Sequence, residues 1–373
     1  MEYREMVLDD IVNIRTGKLN SNAAVENGEY VFFTCAPEPL RIDKYKYDQA
    51  AILLAGNNAD GNFHINYFEG KFEVYQRTYI IDSKDTEKYD LRYIFYALKE
   101  CLSEFKSMSQ GTSTKFLTMA ILKAFNLKIP DIDLQRKISQ ILLMIDEKIK
   151  CNNQINRNLS EQARSVYMET FGKFEKTKVL EDYPVKIYSG GTPSTSKKEY
   201  WEGGDIHWLS SGETANEFVT TTDKTITQLG VDNSSTKWAS KYDVVTASAG
   251  QGHTRGQTTM ILLNTCINQS VIVTHAAKEY MPFIFFNLSG RYEELRVLSD
   301  GTSTRGSLTT KIMAKLKMPD VTENTIIKFS DYAWSAISQI EVNLKENEKL
   351  ACLRDSLLLK LMTGEIDVSD LNI

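Results

Sequence analysis

The sequence is short of the residues that build metal and cofactor sites. Its four histidines (His64, His207, His253, His275) show no HExxH or other paired ligand spacing. Its five cysteines (Cys35, Cys101, Cys151, Cys266, Cys352) form no CxxC pair and leave an odd total. That pattern excludes a zinc site or a disulfide framework and fits a reducing compartment. There is no GxSxG, no GK[ST], and no Asp-Pro-Pro-Tyr or Asn-Pro-Pro-Tyr of an amino-methyltransferase, so no enzyme is expected and no bound cofactor. No apolar run approaches the roughly 20 residues of a membrane span. The start Met-Glu-Tyr-Arg-Glu lacks secretory character, which predicts a cytoplasmic protein with no membrane partner. The formal charge of −5 excludes a bulk electrostatic grip on nucleic acid and leaves that task to local basic and amide-bearing loops, or to a partner.

What is present is a normal composition, 42% hydrophobic and 25% charged, over 373 residues, enough for two or three cored domains. From Asp131 to about Phe171, apolar residues recur at steps of four and three: Ile138, Leu142, Ile145, Ile149, Leu159, Ala163 and Val166 form one seam. The 3.5-residue period is that of a coiled coil, and only Asn152 and Asn156 interrupt it. The spacing returns from about Glu323 to Met362, again with an Asn midway. At an offset of 191, Asn152 matches Asn343 and Asn156 matches Asn347. Buried Asn in such a seam fixes register and partner, so these four residues are the candidate spacer and partner-binding positions.

The rest of the chain repeats as well. Tyr93-Ile-Phe-Tyr-Ala-Leu98 matches Phe283-Ile-Phe-Phe-Asn-Leu288, and Gly111-Thr-Ser-Thr-Lys115 matches Gly301-Thr-Ser-Thr-Arg305. Leu8 to Gly17 matches Leu180 to Gly190 with one insertion, and Gly28 to Thr34 matches Gly204 to Ser210. Short apolar or alternating segments (30–33, 50–55, 75–81, 243–247, 269–274) between Gly, Asn, Asp and Ser clusters predict strands and turns. Helices are expected near 91–107 and 282–298. The expected fold is α+β: two tandem strand-rich domains, each followed by a long helix, the helices forming an antiparallel coiled coil with pseudo-twofold symmetry. The expected boundaries are 1–130, 131–172, 173–320 and 321–373.

Recognition chemistry is expected in the loops. Gly250, Gly252 and Gly256 give GxGxxxG with no helix after it, which is not a dinucleotide fingerprint. That loop offers Gln251, His253 and Arg255, side chains that read base edges or clasp phosphates. The loop in the equivalent place of the first half offers Asn57, Asn58, Asn62 and His64. The hydroxyls of Thr112 and Ser113 before Lys115, and of Thr302 and Ser303 before Arg305, suit phosphate contacts. Trp201, Trp208 and Trp238 are expected to pack.

Gly190-Gly-Thr-Pro-Ser194, Trp208-Leu-Ser210, Ser248-Ala-Gly-Gln-Gly252, Ile267-Asn-Gln269, Gly301-Thr-Ser-Thr304 and the ending Leu357-Leu-Leu-Lys-Leu-Met-Thr-Gly-Glu-Ile366 resemble the specificity subunit of type I restriction-modification systems. The resemblance implies two target recognition domains that read halves of a split double-stranded DNA site. It implies helices that set the spacing and dock two modification (methyltransferase) subunits, with restriction subunits in the same complex. S-adenosylmethionine and ATP then belong to the partner subunits. On the motif positions it adds Thr192, Ser194, Ser210 and Gln269 as DNA contacts, with Gln76 corresponding to Gln269. The first half departs from the pattern, with Thr16-Gly-Lys-Leu-Asn20 in place of Gly-Gly-Thr-Pro-Ser. A coiled-coil adaptor that binds only protein is the alternative reading.

Overall fold

The seam residues form the two longest elements. A computed structural model describes residues 3–111, 114–250, 253–300 and 306–371. In it the first long helix runs Ile132–Phe171 and the second Glu323–Thr363, of 40 and 41 residues. Asp131, just after Pro130, caps the first by accepting from Leu134 N at 3.0 Å. Thr322 plays the same part in the second, accepting from Thr325 N at 3.4 Å. At 1.5 Å per residue each helix is about 60 Å long.

Packing divides the chain into two units, Met1–Ile149 with Lys349–Ile373, and Lys150–Glu348. Each long helix therefore gives one half to each unit, a grouping that cuts across the linear order of domain and helix.

In the first unit, β1 (Arg4–Val7) precedes β2 (Val12–Thr16), β3 (Tyr30–Phe33), β4 (Leu40–Ile42), β5 (Tyr47–Ala55) and β6 (Asn57–Asn58). There follow β7 (Ile65–Val74), β8 (Thr78–Ser83), β9 (Lys115–Phe116) and β10 (Asn126–Ile129). The main sheet has the order β2-β8-β5-β7-β3-β4, with β3 parallel to β7; β1 pairs β10, and β6 pairs β9. Helices Leu91–Glu100 and Leu102–Met108 cover one face. Ile52, Leu54, Tyr93, Ile94 and Leu98 meet Leu134, Ile138 and Leu142 of the first long helix and Leu358, Leu361 and Met362 of the second in one core. Arg354 of the second long helix pairs with Asp146 of the first at 2.8 Å, and Asp146 also accepts from Tyr96 at 2.8 Å.

The second unit contains β11 (Lys178–Val179), β12 (Val185–Ser189), β13 (Ile206–Leu209), β14 (Phe218–Val219), β15 (Lys224–Ile226) and β16 (Lys237–Ala239). It continues with β17 (Val244–Ala247), β18 (Thr258–Ile261), β19 (Thr265–Ile267), β20 (Val271–Ala276) and β21 (Lys317–Met318). Its sheets run β12-β20-β17-β18-β14 and β15-β13-β19-β16. The first unit's order recurs with the ten-residue β7 replaced by β18 and β19, where the sheet parts, and with two added strands, β14 beside β18 and β16 beside β19. Helices Met281–Ser289 and Tyr292–Asp300 match the first unit's pair. Ala163, Tyr167 and Phe171 pack with Phe283, Phe286, Phe329, Ala333 and Ile337 in its core.

Two expected strands start later than their apolar patterns. Residues 75–77 form a turn before β8, and 268–270 a turn before β20, because the Asn268 side chain accepts from Ser270 N at 2.8 Å and Gln76 N bonds Leu19 O. Of the tryptophans expected to pack, Trp208 is 5% exposed but Trp238, on edge strand β16, is 50% exposed.

Candidate nucleic-acid interface

In the first unit, strand ends and turns gather at one place. Gly17 lies so close to β7 that a Cβ there would sit 1.9 Å from Val74 O, so only glycine fits. This brings Leu19 and Asn20 against the 75–77 turn, where Gln76 Nε2 donates to Asn20 Oδ1 at 2.8 Å. Gly56 N donates to Arg77 O, and Leu117 N donates to Gly56 O. The β6–β9 pair then sets Asn57 opposite Phe116 and Asn58 opposite Lys115.

Asn58 Oδ1 accepts from Asp60 N (2.9 Å) and Asn62 N (3.2 Å), so it shapes the loop, while Asn62 Oδ1 takes Lys106 Nζ at 2.7 Å. Among the described residues, Asn57 Oδ1 is a buried acceptor without a hydrogen-bond partner. His64 is half-buried and holds Ala55 N through its carbonyl at 2.8 Å. Beside these residues is a cavity of about 420 Å³ lined by Gln76, Arg77, Tyr79, Phe116 and Met119, with Arg77 over the Phe116 ring. Tyr79 closes its floor by donating to Leu117 O at 2.6 Å, and burial pushes that phenol above its ordinary pKa. Thus Asn57, Asn58, Asn62, Gln76 and Lys115 lie around one place. Thr112 and Ser113 lie outside the described residues.

The second unit builds a corresponding place. A Cβ on Gly190 would sit 2.1 Å from Ile267 O, the counterpart of Gly17. Gly191 N bonds Ile267 O, and Thr192 donates its hydroxyl to Gln269 Oε1. Each unit therefore ties its turn glutamine to the segment after its glycine. Ser210 donates through both N (3.0 Å) and Oγ (2.6 Å) to the buried Glu213, which places it in a turn. Ser194 is exposed, sharing a hydrogen bond with Ser196 and accepting Trp201 Nε1 at its carbonyl.

In the loop after β17, His253 is exposed and its carbonyl accepts from Tyr292 OH at 2.8 Å. Arg255 is 12% exposed, ion-paired with Asp300 and bonded to Gly306 O at 3.4 Å. Gln251, Thr302, Ser303 and Arg305 lie outside the described residues.

Sequence reasoning passed over Asn20, Arg77, Lys106, Phe116, Tyr292 and Asp300. Arg77, next to Gln76, was the one with a local signal; the others reach the sites by tertiary packing.

The spacer asparagines meet in the second unit. Asn152, 1% exposed, donates to Asn347 Oδ1 (2.9 Å) and Glu346 Oε2 (2.7 Å), and Asn343, 5% exposed, donates to Asn156 Oδ1 (2.7 Å). Pairing 152 with 347 and 156 with 343 makes the helices antiparallel there. Among the described residues no group of three or more His, Cys, Asp or Glu is arranged for a metal, and no helix is long and apolar enough to cross a membrane.

The model of the type I restriction modification DNA specificity domain family matches residues 1–161 and 185–325. The chain is 29% identical over 142 residues to the specificity subunit of the type I restriction enzyme EcoDI of Escherichia coli, covering 38% of this chain and 31% of that protein, under a third of its length. It is 21% identical over 355 residues to the HindI specificity subunit of Haemophilus influenzae, covering 74% and 76%. The fold is similar to the crystal structure of a type I restriction-modification system S subunit from M. genitalium, with TM-score 0.62, 16% identity and 96% of each chain covered. With both halves of the sequence matched and the repeated fold in place, the chain belongs to the type I restriction modification DNA specificity domain family.

Proposed function

We propose that the chain is the DNA-reading specificity subunit of a type I restriction-modification complex and carries no catalytic step itself. The observation that carries the reading is the pair of repeat-related sites. Each is built from a glycine that admits no side chain, a tied glutamine and a hydrogen-bonding loop after the same strand of the sheet. Two like scaffolds with unlike loops suit two different half-sites of one duplex.

Asn57, Asn62 and Gln76 in the first unit, and Thr192, Gln251, His253 and Gln269 in the second, offer amide, hydroxyl and imidazole groups to base edges. Asn58 and Ser210 hold loop shape. His64, Ser194 and Arg255 border the same loops. Lys115 and Arg305, with Thr112, Ser113, Thr302 and Ser303, supply phosphate contacts that fix register. The long helices set the distance between half-sites and dock two modification subunits, and restriction subunits complete the assembly. S-adenosylmethionine and ATP are used by those partners. The protein acts in the cytoplasm.

The test is methylome sequencing of a host without other systems, expressing this chain with its neighbouring modification subunit. The expected result is a methylated adenine in a split, asymmetric motif that vanishes without this chain. No new methylation from an assembled complex would sink the proposal and favour an adaptor that binds only protein.

A further inference from the structure

One turn of the second unit has a backbone its side chain does not favour. Tyr242 has φ +79°, and no other described residue except glycine has a positive φ. It stands third in the turn 240–243, closed by Asp243 N on Ser240 O at 3.0 Å, between β16 and β17. This is the φ pattern of a type II turn, in which glycine or asparagine takes that position. A tyrosine persists there only where its surroundings over-determine it.

Those surroundings come from one face of the second long helix. Tyr242 OH donates to Glu341 Oε2 at 3.0 Å, while Lys241 Nζ and Lys345 Nζ each lie 2.6 Å from Glu341 Oε1. The Glu341 side chain is 10% exposed, a carboxylate bound from three sides. The Tyr242 ring meets Trp334 edge-on at 4.8 Å, and Lys278 Nζ stands over both rings, at 5.8 and 5.0 Å. Asp243 fastens the turn to the sheet through His275 Nδ1 on β20 at 2.6 Å and holds the turn's own shape by accepting from Ser240 N at 2.9 Å. From this turn β17 runs only four residues, about 13 Å, to Ser248, where the reading loop begins.

We propose that Tyr242 and Glu341 are positioning residues that key the second recognition domain to the second long helix, so that the loop after β17 meets DNA at one set distance from the other half-site. The inference rests on the DNA-reading function proposed above. A clamp that only added stability could sit anywhere on the interface. This one is short, strained, and joined by a single four-residue strand to the loop that would touch bases.

The test uses the full chain with its modification subunit and DNA duplexes in which both half-sites are intact and the gap is the native one, one base pair shorter, or one longer. Wild type should prefer the native gap. Glu341→Gln and Tyr242→Gly should lower that preference roughly fivefold or more, the size of an ordinary coupling between sites, with half-site base preference unchanged. Tyr242→Phe, which keeps the ring, should fall between. Thermal denaturation reports whether each variant is folded, and Glu341→Gln, which keeps the side chain's shape, carries the test if Tyr242→Gly does not fold. Variants that keep the wild-type gap preference, or lose affinity equally for every gap, overturn the proposal. A wild-type complex with no sequence preference at all overturns instead the reading beneath it.

Discussion

Asn152 Nδ2 lies 2.9 Å from Asn347 Oδ1, and Asn343 Nδ2 lies 2.7 Å from Asn156 Oδ1. The 191-residue offset maps Asn152 onto Asn343 and Asn156 onto Asn347, so each hydrogen bond is the repeat image of the other. Such reciprocal pairing is the signature of an isologous contact, here within one chain. Asn152→Leu would remove the donor it gives to Asn347 Oδ1 and to Glu346 Oε2 and is expected to cost about 1–3 kcal/mol. Changing Asn152 and Asn347 to Leu together should recover part of that, because the Asn347 acceptor goes with its donor and only the hydrogen bonds to Glu346 Oε2 and Asn153 Oδ1 are lost. Chemical denaturation of single and double variants measures it, and a double variant as weak as the single would refute the pairing argument.

Gly17 and Gly190 admit no side chain, since a Cβ would sit 1.9 Å from Val74 O and 2.1 Å from Ile267 O. Gly17→Ala and Gly190→Ala should each destabilise the protein by about 1–3 kcal/mol, because the obstacle is backbone that must move. Thermal unfolding of the two variants should show similar losses. A tolerated alanine at either place would mean that the two turns are not equivalent.

The long helices were legible in the sequence to within a residue or two, because a 3.5-residue seam needs nothing beyond local spacing. The glycine matches were legible because close backbone approach leaves no alternative residue. The parting of the second unit's sheet between β18 and β19 was not, since apolar runs in 258–261 and 265–267 look alike whether or not they are joined. Nor was the commitment of Arg255 to Asp300, 45 residues away, or the positive φ of Tyr242. Long-range partners leave no trace in local pattern.

Asp300 occupies the guanidinium of Arg255, which must exchange it for DNA if Arg255 touches the target. Arg255→Ala is expected to weaken cognate binding by about 1–3 kcal/mol. Asp300→Ala removes one negative charge beside the loop and should do the reverse at low salt, tightening binding. Titrations over a range of salt concentrations separate the two. Equal losses in both variants would make Arg255 a prop for the loop alone.

Glu341 gives the second unit an acid-sensitive point. Burial works against its ionisation, but hydrogen bonds from Lys241, Lys345 and Tyr242 prevail and hold the carboxyl below its ordinary value of 4.5. The stability that this contributes is complete above that ordinary value and is lost as pH falls through the lowered one. Asp243 in the same turn is shifted upward, chiefly by burial, and contributes with the opposite sign. Wild type should therefore lose stability on acidification below about pH 4.5 more steeply than Glu341→Gln, as thermal melts across that range would show. Parallel curves would remove Glu341 as the source.

The grouping of residues 349–373 with 1–149 has a consequence for how the protein is made. The residues that complete the first unit's core, Leu358, Leu361 and Met362, leave the ribosome about 200 residues after Leu134, Ile138 and Leu142, which they cover. At 5–20 residues per second the delay is on the order of ten seconds or more. During that time the second unit can emerge nearly whole while the first still exposes apolar surface. The order of maturation thus inverts the order of synthesis, and a nascent chain cut short before Lys349 would release a finished second unit joined to an unfinished first.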